Sequence, residues 1–473
     1  MGCAVAVNGG VCLNTSARAT VGAAVGGKGD DVAEVIEALL DADVPLGDVK
    51  LSRRAIAAAT VGNALEFYDF LTYTFFSIQI GHAFFPSGSA YSSLMLSSTL
   101  FMAGFLTRPI GGAVIGVLSD KVGRRPMMMF SFILIGIGVV GMAVIPPYAK
   151  IGLAAPILAV IARMALGFSL GGEVGPTTAY LLESAPAKSR GLAVAWQGAS
   201  QQLAATAGGL VGFVLSVIMS PGALDAYGWR IAFLLGAITI PFGLWIRRGL
   251  PETLHRPEES GVAKATATTS LGLARENLRI ILLAVVVLGS GTISSYTFNY
   301  MTTFAQGTLH MAPGIAFLSQ AMGNLVGLAG VLVGGAMSDR FGRRPLMIWP
   351  NLAALVLIVP MYLWIVDTRT SVALFVGSVV LGFVGAMSGG AFYPAFAESL
   401  PKSIRGGTFA IVYASAIAVF GGTTNLMLTW LVHIVGPLAP MGYLMTTGIL
   451  GQIAIMLIAE SAPVKARLAA TAA

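Results

Sequence analysis

The chain has 473 residues, 56% of them hydrophobic and only 10% charged, with a mean hydropathy of +0.82. So few charges cannot cover a soluble protein of this length, which excludes an ordinary globular enzyme and indicates a polytopic membrane protein in a lipid bilayer. The net charge of +7 calls for no nucleic-acid partner, because its placement along the chain accounts for it, as set out below.

Residues 1–52 read as an N-terminal cytoplasmic tail, expected to be disordered from its Gly/Ala-rich start. The tail lacks the basic region and cleavage pattern of a signal peptide. Cys3 and Cys12, the only cysteines, have no metal-ligand spacing and support neither a zinc site nor a disulfide framework. A spanning helix needs about 20 largely apolar residues. Twelve such runs follow, at roughly 54–82, 92–118, 127–147, 153–182, 192–219, 230–247, 279–304, 313–337, 346–366, 371–399, 407–434 and 441–459, numbered helix 1 to helix 12. With both termini in the cytoplasm, nearly all the loop Lys and Arg fall on that side. Only Lys150, Arg230 and Arg369 fall opposite, the asymmetry of an inner-membrane protein obeying the positive-inside rule.

The sequence repeats. GVLSDKVGRRP, Gly116 to Pro126, recurs as GAMSDRFGRRP, Gly335 to Pro345, at a shift of 219 residues. LGF…ESAPAKSRG, Leu166 to Gly191, recurs as LGF…ESLPKSIRG, Leu381 to Gly406, at a shift of 215. The chain is therefore expected to form two pseudo-symmetric six-helix bundles, 53–247 and 279–460, joined by a cytoplasmic linker at 248–278 and followed by a short tail at 461–473. Internal repeats of this kind mark secondary transporters, with the substrate site between the halves. Gly123 and Gly342 suit a tight turn, and Pro126 and Pro345 the first turn of the next helix. Asp120, Arg124 and Glu183, with Asp339, Arg343 and Glu398 in the second half, are candidates for a conformational latch.

Five ionisable residues fall inside the spans, all in the first half: Glu66, Asp69, Arg108, Arg163 and Glu173. An intramembrane carboxylate costs at least ~2.5 kcal/mol and by default signals function. Glu66 and Asp69, three residues apart, share one helix face with Asn63. Arg163 in mid-helix suits a pair with one of these acids or an anionic substrate, since its planar fork matches a carboxylate. Arg108, next to Pro109, either joins it or snorkels to the membrane surface. Glu173, between Gly171-Gly172 and Gly175-Pro176, is a third proton-site candidate. Gln197 and Gln201 on helix 5 and Tyr296, Asn299 and Tyr300 on helix 7 offer neutral donors to a carboxylate, although interhelical hydrogen bonding explains such residues equally well. No Walker loop, dinucleotide fingerprint or HExxH sequence appears, so neither a cofactor nor a metal is expected.

The G-x-x-S-D-(K/R)-x-G-R-R-P loops resemble the signature of the major facilitator superfamily. GNALEFYDF (Gly62 to Phe70), GFLTRPIGG (Gly104 to Gly112), ARMALGFSLGGEVG (Ala162 to Gly175) and YGWRIAF (Tyr227 to Phe233) resemble its metabolite:proton symporters. AWQGASQQLA (Ala195 to Ala204) is most similar to their citrate/tricarballylate branch. Phe67 and Ala232 depart from that pattern, which usually has Trp and Pro. The resemblance implies a non-enzymatic, monomeric proton-coupled symporter that imports an organic acid. On that reading Arg163 and Arg108 attract the substrate, Glu66, Asp69 or Glu173 carries the proton, and the polar groups of helices 5 and 7 set shape. Carriers of dicarboxylates, aromatic acids or betaine and proline, and a non-transporting receptor on the same fold, are the alternatives.

Overall fold

The computed structural model describes residues 63–64, 67–122, 124–171, 189–238, 241, 278–399 and 412–460; the side chains of 116, 117, 119–121, 124, 125 and 128 are outside the description. Glu66, Glu173 and Glu183 therefore lie outside the described residues, as do the side chains of Asp120 and Arg124. What is described is helical, with no strand. Eight helices among these residues are long and apolar enough to cross a membrane.

Helix 1 comprises residues 67–75 and Ser77–Phe84. Helix 2 is broken into Ala90–Leu106 and Arg108–Val122. The break falls where Pro109 withholds a backbone N–H, and the Thr107 hydroxyl donates across to the Met164 carbonyl at 2.8 Å. Helix 3 is Arg124–Val144, helix 4 is described over Ala154–Leu170, helix 5 is Arg190–Ile218 and helix 6 over Trp229–Ala237. The second half contains Leu278–Gly307, Pro313–Phe341, Arg343–Thr368, Ser371–Glu398, Val412–Val435 and Ala439–Leu457 as helices 7 to 12. Gly342, at φ 101°, makes the turn into helix 9, whose first turn holds Pro345.

The repeat extends to packing. A Cβ built on Gly167 of helix 4 would strike the Gly104 carbonyl of helix 2, and one built on Gly382 of helix 10 would strike the Gly323 carbonyl of helix 8. Gly104 and Gly323 are 219 residues apart, Gly167 and Gly382 215, the same shifts as the two sequence repeats. Glycine at both partners lets the two backbones touch, as small residues do between membrane helices.

The halves meet at both ends. At the arginine-rich end the Asp339 carboxylate of helix 8 accepts from the Gly191 and Leu192 amides of helix 5, at 2.8 and 2.9 Å. At the opposite end Tyr91 stacks on His433 at 3.8 Å, Phe76 lies 4.9 Å from Phe317, and Gln79 donates to Gln306 at 3.2 Å.

Candidate functional site

Between these closures lies a cavity of about 270 Å³. Its walls are Phe67, Phe70 and Thr74 of helix 1, Gln201 and Gln202 of helix 5, a long stretch of helix 7, and residues of helices 8 to 12. Of the sequence candidates, Gln201, Tyr296 and Asn299 line it. No charged side chain does, among the described residues. The cavity sits mainly against the second half.

Arg163, Asp69, Arg108, Asn63, Gln197 and Tyr300 are not part of that lining. The Arg163 guanidinium is buried, 3.6 Å from Asp69 Oδ2. This contact is longer than a charge-assisted hydrogen bond, which closes to about 2.7–2.9 Å. Asp69 Oδ1 and Arg163 Nε are buried with no hydrogen-bond partner among the described residues. A buried, loosely joined pair of this kind is costly to hold and easily rearranged. Arg163 also lies 4.4 Å from the Tyr73 ring and 5.5 Å from Phe101, and Tyr73 is fixed by its hydroxyl on the Ser97 carbonyl at 2.8 Å. Arg108 does not snorkel. Its guanidinium turns inward, over Phe105 at 4.4 Å and Phe70 at 5.2 Å.

The neutral candidates divide. Asn63 donates to the Gln197 carbonyl and the Ser200 hydroxyl, at 3.2 and 2.7 Å, tying helix 1 to helix 5. Tyr300 lies outside the cavity lining, and its hydroxyl meets Thr429 of helix 11 at 3.2 Å, an interhelical contact. Asn299 lines the cavity while its Oδ1 accepts from Gln320 and Asn324 of helix 8, at 3.2 and 3.3 Å. Gln201 Nε2 and the Tyr296 hydroxyl are buried with no hydrogen-bond partner among the described residues. Tyr393 and Tyr413 complete an aromatic wall that sequence reasoning missed. The spacing of Phe67, Phe70, Leu71 and Thr74 on one helical face is the signal that identifies the helix 1 wall.

The latch candidates of the second half come together. Arg343 bonds Asp339 at 2.7 Å and holds Glu398 through two nitrogens, at 3.0 and 3.2 Å. Asp339 in turn accepts the first amides of helix 5, where the helix macrodipole favours a negative charge. The cluster thus joins three helices of one half to one helix of the other. Among the described residues no group of His, Cys, Asp and Glu is arranged to hold a metal ion.

The sequence profile of the Major Facilitator Superfamily matches residues 59–422. The chain belongs to that superfamily. It is 35% identical over 396 residues to a citrate-proton symporter of Klebsiella pneumoniae, covering 83% of this chain and 88% of that one. It is 33% identical over 399 residues to an alpha-ketoglutarate permease of Escherichia coli, covering 82% and 90%. Among solved structures it resembles a D-xylose-proton symporter with a TM-score of 0.69, at 20% identity over 86% of this chain and 98% of that one. The fold is therefore the twelve-helix, two-bundle fold of these membrane transporters.

In that fold the repeat assigns equivalents to the two arginines. At the 215-residue shift Arg163 corresponds to Ser378, and at the 219-residue shift Arg108 corresponds to Gly327. The Arg163 carbonyl faces Gly104 and the Ser378 carbonyl faces Gly323, so the correspondence holds in packing as well. Ser378 lines the cavity. At the Arg163 position the second half thus has a small hydroxyl on the cavity wall, whereas at the Arg108 position a Cβ on Gly327 would strike the Gln202 amide.

Proposed function

We propose that this chain is a proton-coupled symporter that imports a small organic anion, citrate or a related di- or tricarboxylate, by alternating access between its two halves. The observation that carries the reading is the buried Arg163–Asp69 pair, 3.6 Å apart, a short way behind an uncharged cavity. Arginine keeps its charge at any working pH, so Asp69 is the member that can exchange a proton. Protonation of Asp69 removes the counter-charge and leaves Arg163 to the substrate carboxylates. Gln201, Tyr296 and Asn299 then set the size and shape of the cargo. On this reading the arginine-rich end faces the cytoplasm, and release of the Asp339–helix 5 contact opens that side. Similarity to citrate-proton symporters supports the substrate class.

The test is uptake of labelled citrate into proteoliposomes under an imposed pH gradient, with tricarballylate, 2-oxoglutarate and betaine as competitors. Citrate accumulates in response to an inward proton gradient. Asp69→Asn retains citrate exchange at equal pH but loses accumulation, and Arg163→Ala loses both. Strong transport of betaine without citrate uptake would overturn the substrate class, since an aromatic-walled, uncharged cavity also suits the quaternary ammonium of that zwitterion. Accumulation by Asp69→Asn would overturn its role in coupling.

A further inference from the structure

Four rings, Phe70, Phe101, Phe105 and Tyr296, link the two guanidiniums to the cavity wall. Phe70 is 4.8 Å from Phe101, 5.2 Å from Phe105 and 5.3 Å from Tyr296, so the rings form a continuous layer. Phe70 and Tyr296 line the cavity, whereas Arg108 and Arg163 do not. On the other side Arg108 rests on Phe70 and Phe105, and Arg163 on Phe101. Phe70 thus touches both compartments.

Helix 11 is shaped around this layer. Its π-turn, Ile417–Gly421, runs into Gly422. A Cβ on Gly421 would come within 3.0 Å of Tyr296 Cζ and one on Gly422 within 2.9 Å of Phe105 Cβ. The backbone of helix 11 therefore leaves these two rings their space, and the Tyr296 hydroxyl meets no hydrogen-bond partner among the described residues.

We propose that Phe70, supported by Tyr296, is a movable aromatic partition that shields Arg108 from the cavity until a substrate carboxylate displaces its ring. A guanidinium over a ring is held by quadrupole attraction, and a carboxylate fork replaces that contact with stronger charge-assisted hydrogen bonds. The exchange favours an anion and gives a neutral solute of the same size nothing in return. The partition is a specificity-determining element, and it rests on the anionic-substrate reading above.

The experiment is peptide mapping of the neutral arginine reagent phenylglyoxal on purified full-length protein, comparing wild type with Phe70→Ala and Phe70→Leu, each with and without citrate. Arg343, buried in the latch, reports loss of fold, and exposed Arg369 reports reagent strength. Opening the partition raises the Arg108 rate about fivefold or more in Phe70→Ala and less in Phe70→Leu, with Arg343 unchanged, as expected when an aromatic cover is removed from a cation. If Arg343 reactivity also rises in Phe70→Ala, the Phe70→Leu rates decide. An Arg108 rate within about twofold of wild type in the deciding variant overturns the partition, because the ring then shields nothing. Citrate protection of the newly reactive Arg108 supports the anionic cargo. Exposure without protection keeps the partition and rejects citrate, so the two readings fail separately.

Discussion

The two halves of this molecule share a backbone and differ in what they bury. Helices 2 and 4 touch through Gly104 and Gly167, helices 8 and 10 through Gly323 and Gly382, yet the first pair carries Arg108 and Arg163 and the second carries Gly327 and Ser378 at the matching positions. The mid-span of the first half holds an ion pair and rings in tilted and edge-to-face contact. The second is hollow, lined by hydroxyls, amides and aromatic rings. Duplicated helix packing thus leaves the mid-span chemistry free to diverge: the first half holds a buried arginine and its acid within the spans, whereas the buried charges described in the second half, Asp339, Arg343 and Glu398, are gathered at the arginine-rich end.

The most severe way to break this comparison is to make the first half like the second. Arg163→Ser strands the buried Asp69 carboxylate, and the loss of one partner of a buried pair, about 3–5 kcal/mol, is expected to lower initial citrate uptake by at least ~100-fold. Making the second half like the first is the next largest change. Ser378→Arg places an unpaired guanidinium in the cavity wall, so uptake falls about 10- to 100-fold from steric and desolvation cost, while a monodisperse size-exclusion profile persists. Arg343→Ala tests the latch rather than the site. It leaves Glu398 and Asp339 buried without their cation, so thermal unfolding in detergent shifts down by the equivalent of several kcal/mol, about 3–5 by the same rule.

Smaller changes sharpen the division between cavity wall and interhelical contact. Asn299→Ala removes a cavity-lining amide whose Oδ1 accepts from Gln320 and Asn324, and a net hydrogen-bond value of about 0.5–1.5 kcal/mol predicts a rise in citrate KM of roughly two- to thirteenfold. The Tyr300 hydroxyl meets Thr429 at 3.2 Å, so Tyr300→Phe leaves KM within about twofold because no substrate bond is lost. A large KM effect at Tyr300 would place the substrate deeper toward helix 11.

Much of this was readable from residues alone. Hydropathy runs gave the spans, and the duplicated loop gave Asp339, Arg343 and Glu398 as one cluster, because charges at a basic loop have few partners other than one another. The scarcity of charge in the spans set Arg163 against Glu66, Asp69 or an anionic substrate without choosing among them, and Asp69 is the acid found 3.6 Å away. The position of the cavity did not follow. Tyr296, Asn299 and Tyr300 have equivalent helical spacing, and only the neighbour opposite each one, helix 8 for Asn299 and helix 11 for Tyr300, separates wall from glue. The contact between Phe70 and Tyr296 was hidden for a similar reason: helical spacing puts Phe70 on a wall, but its partner is more than two hundred residues away.

The Gly104–Gly167 contact has a consequence for how such carriers change cargo. With backbone against backbone, helices 2 and 4 offer no slack, and helices 8 and 10 are held the same way through Gly323 and Gly382, so the steric penalty falls on the contact glycines rather than on the side chains that face the cavity. The serines and amides that line the hollow half can be exchanged one at a time without disturbing that contact. Substrate range is then free to drift across descendants of one gene while the energy-coupling core is inherited nearly intact.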